Sequence, residues 1–165
     1  MNLQAEKIIR ALNLQKHPEG GYFSELYRSS EETGGFPERF KGKRALYTSI
    51  YFLLNENDFS AFHVLKGDEI WHFYEGTALD IHVISKTGKL ETITLGRDIE
   101  NGERMMHLIE NGNFFAAEVR DKTSFALVGC TVSPGFEYED FELCKRDELL
   151  QMFPHYNELI DKFSR

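Results

Sequence analysis

The stretch that decides how this chain is read is His63-Val64-Leu65-Lys66-Gly67-Asp68-Glu69-Ile70-Trp71-His72-Phe73-Tyr74-Glu75-Gly76. Gly67-Asp68 is a turn signal, and the aromatic and β-branched run after it has the composition of a strand. Alternate side chains of a strand share a face. Glu69 therefore points the same way as Trp71 and Phe73, and His63 the same way as Leu65. A carboxylate buried beside two aromatic rings is costly unless it is paired, protonated or bound to something. If the sheet curls into a barrel, His63 and Glu69 form a polar pair inside an apolar, ring-lined cavity. Such a pair suits general acid–base chemistry. The competing reading is a structural His–Glu hydrogen bond that closes the turn. Asp68, next in sequence, adds like charge that would raise the pKa of Glu69.

On either side the chain reads as strands joined by turns. Tyr22–Tyr27, Ala45–Leu54 and Ala61–Leu65 precede the turn, and Ile70–Tyr74 follows it. Ala78–Ser85, Leu90–Leu95, Met105–Ile109, Phe114–Val119 and Phe125–Val132 complete the set. The joints carry Thr87-Gly88, Asn101-Gly102, Asn111-Gly112 and Pro134-Gly135, which are good turn pairs. Strands at this spacing predict an all-β sandwich or barrel. Ala5, Ile8, Ile9 and Leu12 follow helical spacing, as do Tyr156, Leu159, Ile160 and Phe163, with another helix near Lys145–Met152. These helices are expected to cover the sheets from outside. No repeat or linker divides the chain, so residues 1–165 are read as a single domain. The irregular stretch Ser29 to Lys43 is a candidate loop over a pocket mouth.

The 165 residues carry 19 Lys and Arg against 27 Asp and Glu, a formal charge of −8. That balance argues against nucleic acid or an anionic membrane as partner, since both need concentrated positive charge. No apolar run approaches the ~20 residues of a membrane span, and no signal sequence is read at the start. The two cysteines, Cys130 and Cys144, make no disulfide framework. A cytoplasmic protein is the expectation.

Other residues have side chains that could carry chemistry. Glu69-Ile70-Trp71-His72 has the Glu-x-x-His spacing of carboxylate di-iron sites, but that motif needs a helix, and a strand throws the two side chains to opposite faces. His72 then belongs to the outer face. His17, His82, His107 and His155 show no metal-ligand spacing and read as ordinary surface or core histidines. Tyr47, Ser49 and Tyr51 form a hydroxyl-bearing face of one strand. Turned inward, that row would suit a polyol; turned outward, it meets solvent. Cys130 lies in an apolar strand and reads as a buried inert thiol. There is no phosphate-binding glycine loop, Gly-x-Ser-x-Gly or Cys-x-x-Cys.

The chain resembles a cupin. His63, Glu69 and Gly76 fit the first cupin motif, with Leu65 in its second histidine slot. Glu110-Asn111-Gly112-Asn113-Phe114-Phe115 aligns with the second motif, where Phe115 replaces the last metal-binding histidine. The closer resemblance is to an uncharacterised branch, cupin family five. It rests on His17-Pro18-Glu19-Gly20-Gly21-Tyr22-Phe23, Ile50-Tyr51-Phe52-Leu53-Leu54, Leu95-Gly96-Arg97-Asp98 and Leu127 to Phe136. The resemblance implies a double-stranded β-helix, a jelly-roll-like barrel with a ligand cavity, commonly homodimeric. Only two of four cupin metal slots keep a ligand-type residue, so no metal and no cofactor is expected. What remains is similar to metal-free cupins such as deoxysugar-nucleotide epimerases.

The expected function is a metal-independent isomerase or epimerase acting on a sugar-like or small carbonyl compound. His63 would abstract a proton, Glu69 would orient it or return a proton, and Tyr51 would be the acid on the far side. Ser49, Trp71, Phe73 and Phe115 would contact the ligand. The alternatives are a cupin that binds or stores a small molecule without turning it over, and a metal-dependent cupin enzyme completed by His107 or His72.

Overall fold

The computed structural model describes residues 2–165. Helix α1 (Leu3–Ala11) opens them, its first N–H groups capped by the Asn2 side chain. Thirteen strands follow among the described residues: β1 (Gln15–Lys16), β2 (Tyr22–Arg28), β3 (Glu32–Thr33), β4 (Arg44–Ala45), β5 (Thr48–Asn55), β6 (Phe59–Leu65) and β7 (Asp68–Gly76), then β8 (Leu79–Ile84), β9 (Leu90–Leu95), β10 (Met106–Ile109), β11 (Phe114–Val119), β12 (Phe125–Ser133) and β13 (Phe141–Leu143). Helices α2 (Arg146–Met152) and α3 (Asn157–Lys162) close the chain.

Two antiparallel sheets face each other. One has the order β1-β2-β5-β12-β7-β10, the other β13-β6-β11-β8-β9. This is the all-β fold that the strand spacing predicts, in the jelly-roll form that the cupin resemblance implies. The alternating pattern of β7 is the reason it packs this way: Glu69, Trp71 and Phe73 are buried, while Asp68 and Tyr74 are exposed. Between the sheets lie Phe52, Trp71, Phe73, Leu79, Ile81, Phe115 and Val128, among others, which form the core of the barrel. Helix α1 covers the outer face of the larger sheet at Leu53 and Leu127. Helices α2 and α3 cover the smaller sheet with Leu149, Phe153, Ile160 and Phe163 against Phe62, Ile84 and Ala116.

Three local expectations are corrected. The long strand Ala45–Leu54 breaks at the exposed Leu46 and Tyr47, giving β4 and β5. Strand β13 follows the 3₁₀ turn Tyr138–Asp140 and pairs with β6, Leu143 opposite His63. It lacks alternation long enough to be seen in sequence. The loop from Ser29 to Lys43 lines no part of the cavity, whose mouth is formed instead by Phe136, Glu137 and Tyr138.

Candidate functional site

The two sheets carry the two halves of the site. His63 sits on β6 opposite Phe115, and Glu69 on β7 opposite Val132 and Ile109. Both side chains point between the sheets into a cavity of about 100 Å3. That is room for several waters or one small molecule. The walls are mainly apolar: Phe23, Ile50, Phe52, Trp71, Val132 and Phe141.

His63 does not stand alone with Glu69. Its Nδ1 lies 2.8 Å from the carbonyl of Ala61, so Nδ1 carries the proton and donates. Its Nε2 lies 3.3 Å from Oε2 of Glu19. Glu19 Oε1 accepts from the hydroxyl of Ser60 at 2.8 Å. His17 Nδ1 is 3.4 Å from Glu19 Oε2, and its ring meets Phe23 edge-on. Four titratable groups thus line one buried patch: His17, Glu19, His63 and Glu69.

The turn before β2 builds half of that patch. Gly20 and Gly21 have φ of +120° and +68°, conformations that L side chains rarely adopt. A Cβ on Gly20 would lie 2.0 Å from the carbonyl of Phe59. The missing side chain lets the turn lie against β6, where Ala61 N–H donates to Glu19 O at 2.9 Å. This contact aims the Glu19 carboxyl at His63.

Burial governs the protonation of the patch. It holds His63 below the ordinary histidine value, with Glu69 opposing. It also lowers His17, against the pull of Glu19, and raises Glu19. Glu69 is pushed up to about 7 by burial, against the attraction of His63 and helped by the repulsion of Glu19. The like charge that matters is therefore Glu19. Asp68 turns outward and accepts from Asn111 N and Nδ2, both at 2.8 Å. Burial likewise drives the Cys130 thiol well above its usual range, which fits an inert sulfur. Among the described residues three buried side-chain atoms lack a hydrogen-bond partner: Glu69 Oε2, Trp71 Nε1 and His82 Nε2. The first two belong to adjacent inward positions of β7. The third lies outside the barrel, where His82 packs on Phe163 and its Nε2 is 3.7 Å from Glu118.

The structure brings together His63, Glu69 and Trp71 of the residues singled out in sequence. Phe115 backs His63 with ring centroids 4.0 Å apart, and Phe73 lies deeper in the core; neither lines the cavity. Tyr51 and Ser49 are corrected. The inward residues of β5 are Thr48, Ile50 and Phe52, so the hydroxyl row faces out. Tyr51 packs under α1 and against Tyr74, and Ser49 pairs with Thr131. The inner face is apolar because burial selects the greasy side of an amphipathic strand. His17 is corrected in the other direction: it reads as an ordinary turn histidine yet forms part of the wall. The Glu19 carboxyl is the residue that sequence reasoning missed, although His17-Pro18-Glu19-Gly20-Gly21 stands among the motifs quoted above. Its signal is a carboxylate held between a histidine and a glycine pair that permits close backbone approach.

The donor set does not fit a resident metal ion. Leu65 and Phe115 occupy two of the four positions where the cupin motifs place ligands, and neither side chain can bind an ion. Among the described residues no three His, Cys, Asp or Glu side chains are grouped to hold a metal. Neither His107, bonded to Arg104, nor His72 enters the patch.

Comparison with known proteins agrees with this architecture. The family described as Cupin superfamily (DUF985) matches residues 6–144. The crystal structure of protein SO0799 from Shewanella oneidensis is 41% identical, with a TM-score of 0.88, covering 100% of this chain and 98% of that one. A hypothetical protein from Leishmania major is 32% identical with a TM-score of 0.91, covering 97% and 98%. Oxalate decarboxylase from Bacillus subtilis is 13% identical with a TM-score of 0.57, covering 90% of this chain and 36% of that one; the likeness is one of fold alone.

Proposed function

Because the chain belongs to the Cupin superfamily (DUF985) family, whose barrel here closes over Glu69, we propose that it is a metal-independent acid–base catalyst of the isomerase or epimerase class, acting on a small carbonyl compound. The observation that carries this reading is the juxtaposition on β7: a buried carboxyl beside an indole N–H, both at the cavity wall, close enough to interact but with neither Glu69 Oε2 nor Trp71 Nε1 in a well-formed hydrogen bond. Glu69 takes a proton from the carbon next to the carbonyl. The electron pair of that C–H bond moves into the carbonyl, and the developing oxyanion accepts a hydrogen bond from Trp71 Nε1–H. The hydroxyl proton of the resulting enediolate passes to the former carbonyl oxygen, and the Glu69 carboxylic acid returns its proton to the former carbonyl carbon, so that the carbonyl of an α-hydroxycarbonyl compound moves by one carbon. A carboxyl that titrates at about 7 is partly ionised at neutral pH and is suited to both steps. The proton-transfer role passes from His63 to Glu69, because both nitrogens of His63 face protein groups. His63 and Glu19 position the carboxyl and set its charge.

The test is exchange of α-hydrogen for deuterium. Small hydroxyketones and hydroxyaldehydes are incubated with the protein in D2O and followed by proton NMR. Wild type is expected to wash out the α-proton of at least one compound, and Glu69→Gln to lose roughly a hundredfold or more in rate. Tyr51→Phe, outside the barrel, is expected to keep the wild-type rate. Equal rates for wild type and Glu69→Gln would sink the proposal. So would compounds that bind and come off unexchanged, the result expected of a storage protein.

A further inference from the structure

The charge lining of the cavity narrows what can enter it. Besides Glu19 and Glu69 inside, Glu25 and Glu137 stand at the mouth. The cavity wall holds one guanidinium, that of Arg28, and no lysine. Arg28 is already occupied. Its Nε and one Nη donate to the two oxygens of Glu25 at 3.2 and 2.9 Å. The other Nη donates to Glu137 at 2.7 Å, and the first also to the carbonyl of Phe136 at 3.1 Å. Four of its five N–H groups are committed. The two imidazoles are buried and face carboxyl groups. If the inner four groups are all neutral, Arg28 against Glu25 and Glu137 leaves one negative charge. If all four are ionised, the imidazolium and carboxylate charges cancel and the same single negative charge remains.

We infer that this cavity admits uncharged polar molecules, of the amide or hydroxycarbonyl kind, and rejects carboxylates and phosphate esters. An anion there would meet no free cation and would lose its hydration against apolar walls. An uncharged molecule with one acceptor and one donor side by side satisfies Trp71 Nε1–H and Glu69 Oε2 together. The inference takes from the proposed function only that the cavity binds a small molecule. It separates this protein from enzymes of the same fold that act on dicarboxylates or on nucleotide-linked sugars.

Matched pairs test it: propanamide with propanoate, lactamide with lactate, and benzamide with benzoate. Binding is read by saturation-transfer NMR on the full chain at pH 7.5 in a buffer free of phosphate. The amides are expected to give signal and the carboxylates at least about tenfold less. The double variant Glu25→Gln, Glu137→Gln removes the two charges that offset Arg28 while altering only exposed and half-buried side chains, and its melting curve checks the fold. It is expected to improve carboxylate binding about tenfold relative to the amides. Carboxylates that bind wild type as well as their amides would overturn the inference, as would silence from every amide or a double variant with an unchanged ratio. Failure of the exchange assay with selective amide binding would strike the proposed reaction and leave this inference standing.

Discussion

Replacing Glu69 by glutamine should make the protein more stable at alkaline pH, by an amount that vanishes in acid. In the unfolded chain Glu69 titrates near 4.5; in the folded protein burial and Glu19 hold it near 7 against the attraction of His63. Below about pH 4.5 both states keep the proton and the group has no effect. Between the two values the unfolded chain releases a proton that the folded chain retains, so stability falls as pH rises. Above about 7 the loss is complete. Each tenfold step in this equilibrium is worth about 1.4 kcal/mol, so the full loss comes to about 3 kcal/mol. Glutamine is uncharged throughout and escapes it. Its amide adds an offset that does not depend on pH, so the slope of the difference is the quantity to read. His17 titrates with a lowered value in both proteins and largely cancels, whereas His63 and Glu19 feel the Glu69 charge, so the slope reads the coupled change of the three groups. Trp71 and Cys130, the other groups beside the carboxyl, do not ionise in this range. Urea denaturation from pH 5 to 8.5 measures the difference, read by fluorescence of Trp71, the only tryptophan in the chain. The advantage of the variant should grow by about 2.5 kcal/mol across that range. A difference that stays flat with pH would refute the assignment of a buried, high-pKa carboxyl.

Two further outcomes test the frame around the site. Gly76, at the end of β7, has φ of +99°, and a Cβ there would meet the carbonyl of Phe125 at 2.0 Å, whereas one on Gly102 (φ +89°) meets nothing within 4 Å. Gly76→Ala should therefore cost more than about 2 kcal/mol and Gly102→Ala about 1 kcal/mol, compared by thermal melting; equal losses would show that backbone conformation alone decides. Arg44 is buried and donates to Asp140 at 2.6 and 3.1 Å, to two backbone carbonyls and to Glu139. Arg44→Met leaves Asp140 with Lys66 alone and should cost about 3 kcal/mol at neutral pH. Burial alone would raise Asp140, but Arg44 and Lys66 hold it below the usual carboxylate range. The cost should therefore shrink as pH falls through that lowered value, which urea denaturation at stepped pH would show.

The barrel was legible because strand alternation and turn pairs are local signals. Glu69, Trp71 and Phe73 could be placed on one face from spacing alone, and the inward turn of His63 followed from the same rule. What was not legible depends on which side of a strand the core takes. Strand β5 is amphipathic in a weak sense: Tyr51 carries as much ring as Phe52, and only the position of α1 sends the tyrosine outward. Glu19 and His17 escaped for another reason. They lie in a turn with no periodicity, more than forty residues from His63, and only the docking of that turn on β6 brings them together. The paired charges of Arg28 follow the same rule, since Glu137 is 109 residues away.

The two buried polar clusters of this protein show how a structural role differs from a ligand-directed one. Around Arg44, every guanidinium nitrogen has an acceptor and both Asp140 oxygens have donors. A saturated cluster of this kind fixes the chain and offers nothing to a visitor. Around Glu69 the accounting is open. The carboxyl is buried with Trp71 and Cys130 beside it, yet neither its Oε2 nor the indole N–H completes a well-formed hydrogen bond. Buried polar atoms left in this state cost stability, about 1–3 kcal/mol each. Selection for stability alone would replace Glu69 with an apolar residue, as Leu65 and Phe115 already stand in the neighbouring cupin ligand positions. The fold retains the carboxyl at the wall of a cavity large enough for a small molecule. In the proposed function, a ligand carrying an acceptor for the indole and a partner for the carboxyl would recover both hydrogen bonds without moving the backbone, and that recovery would be the source of its affinity.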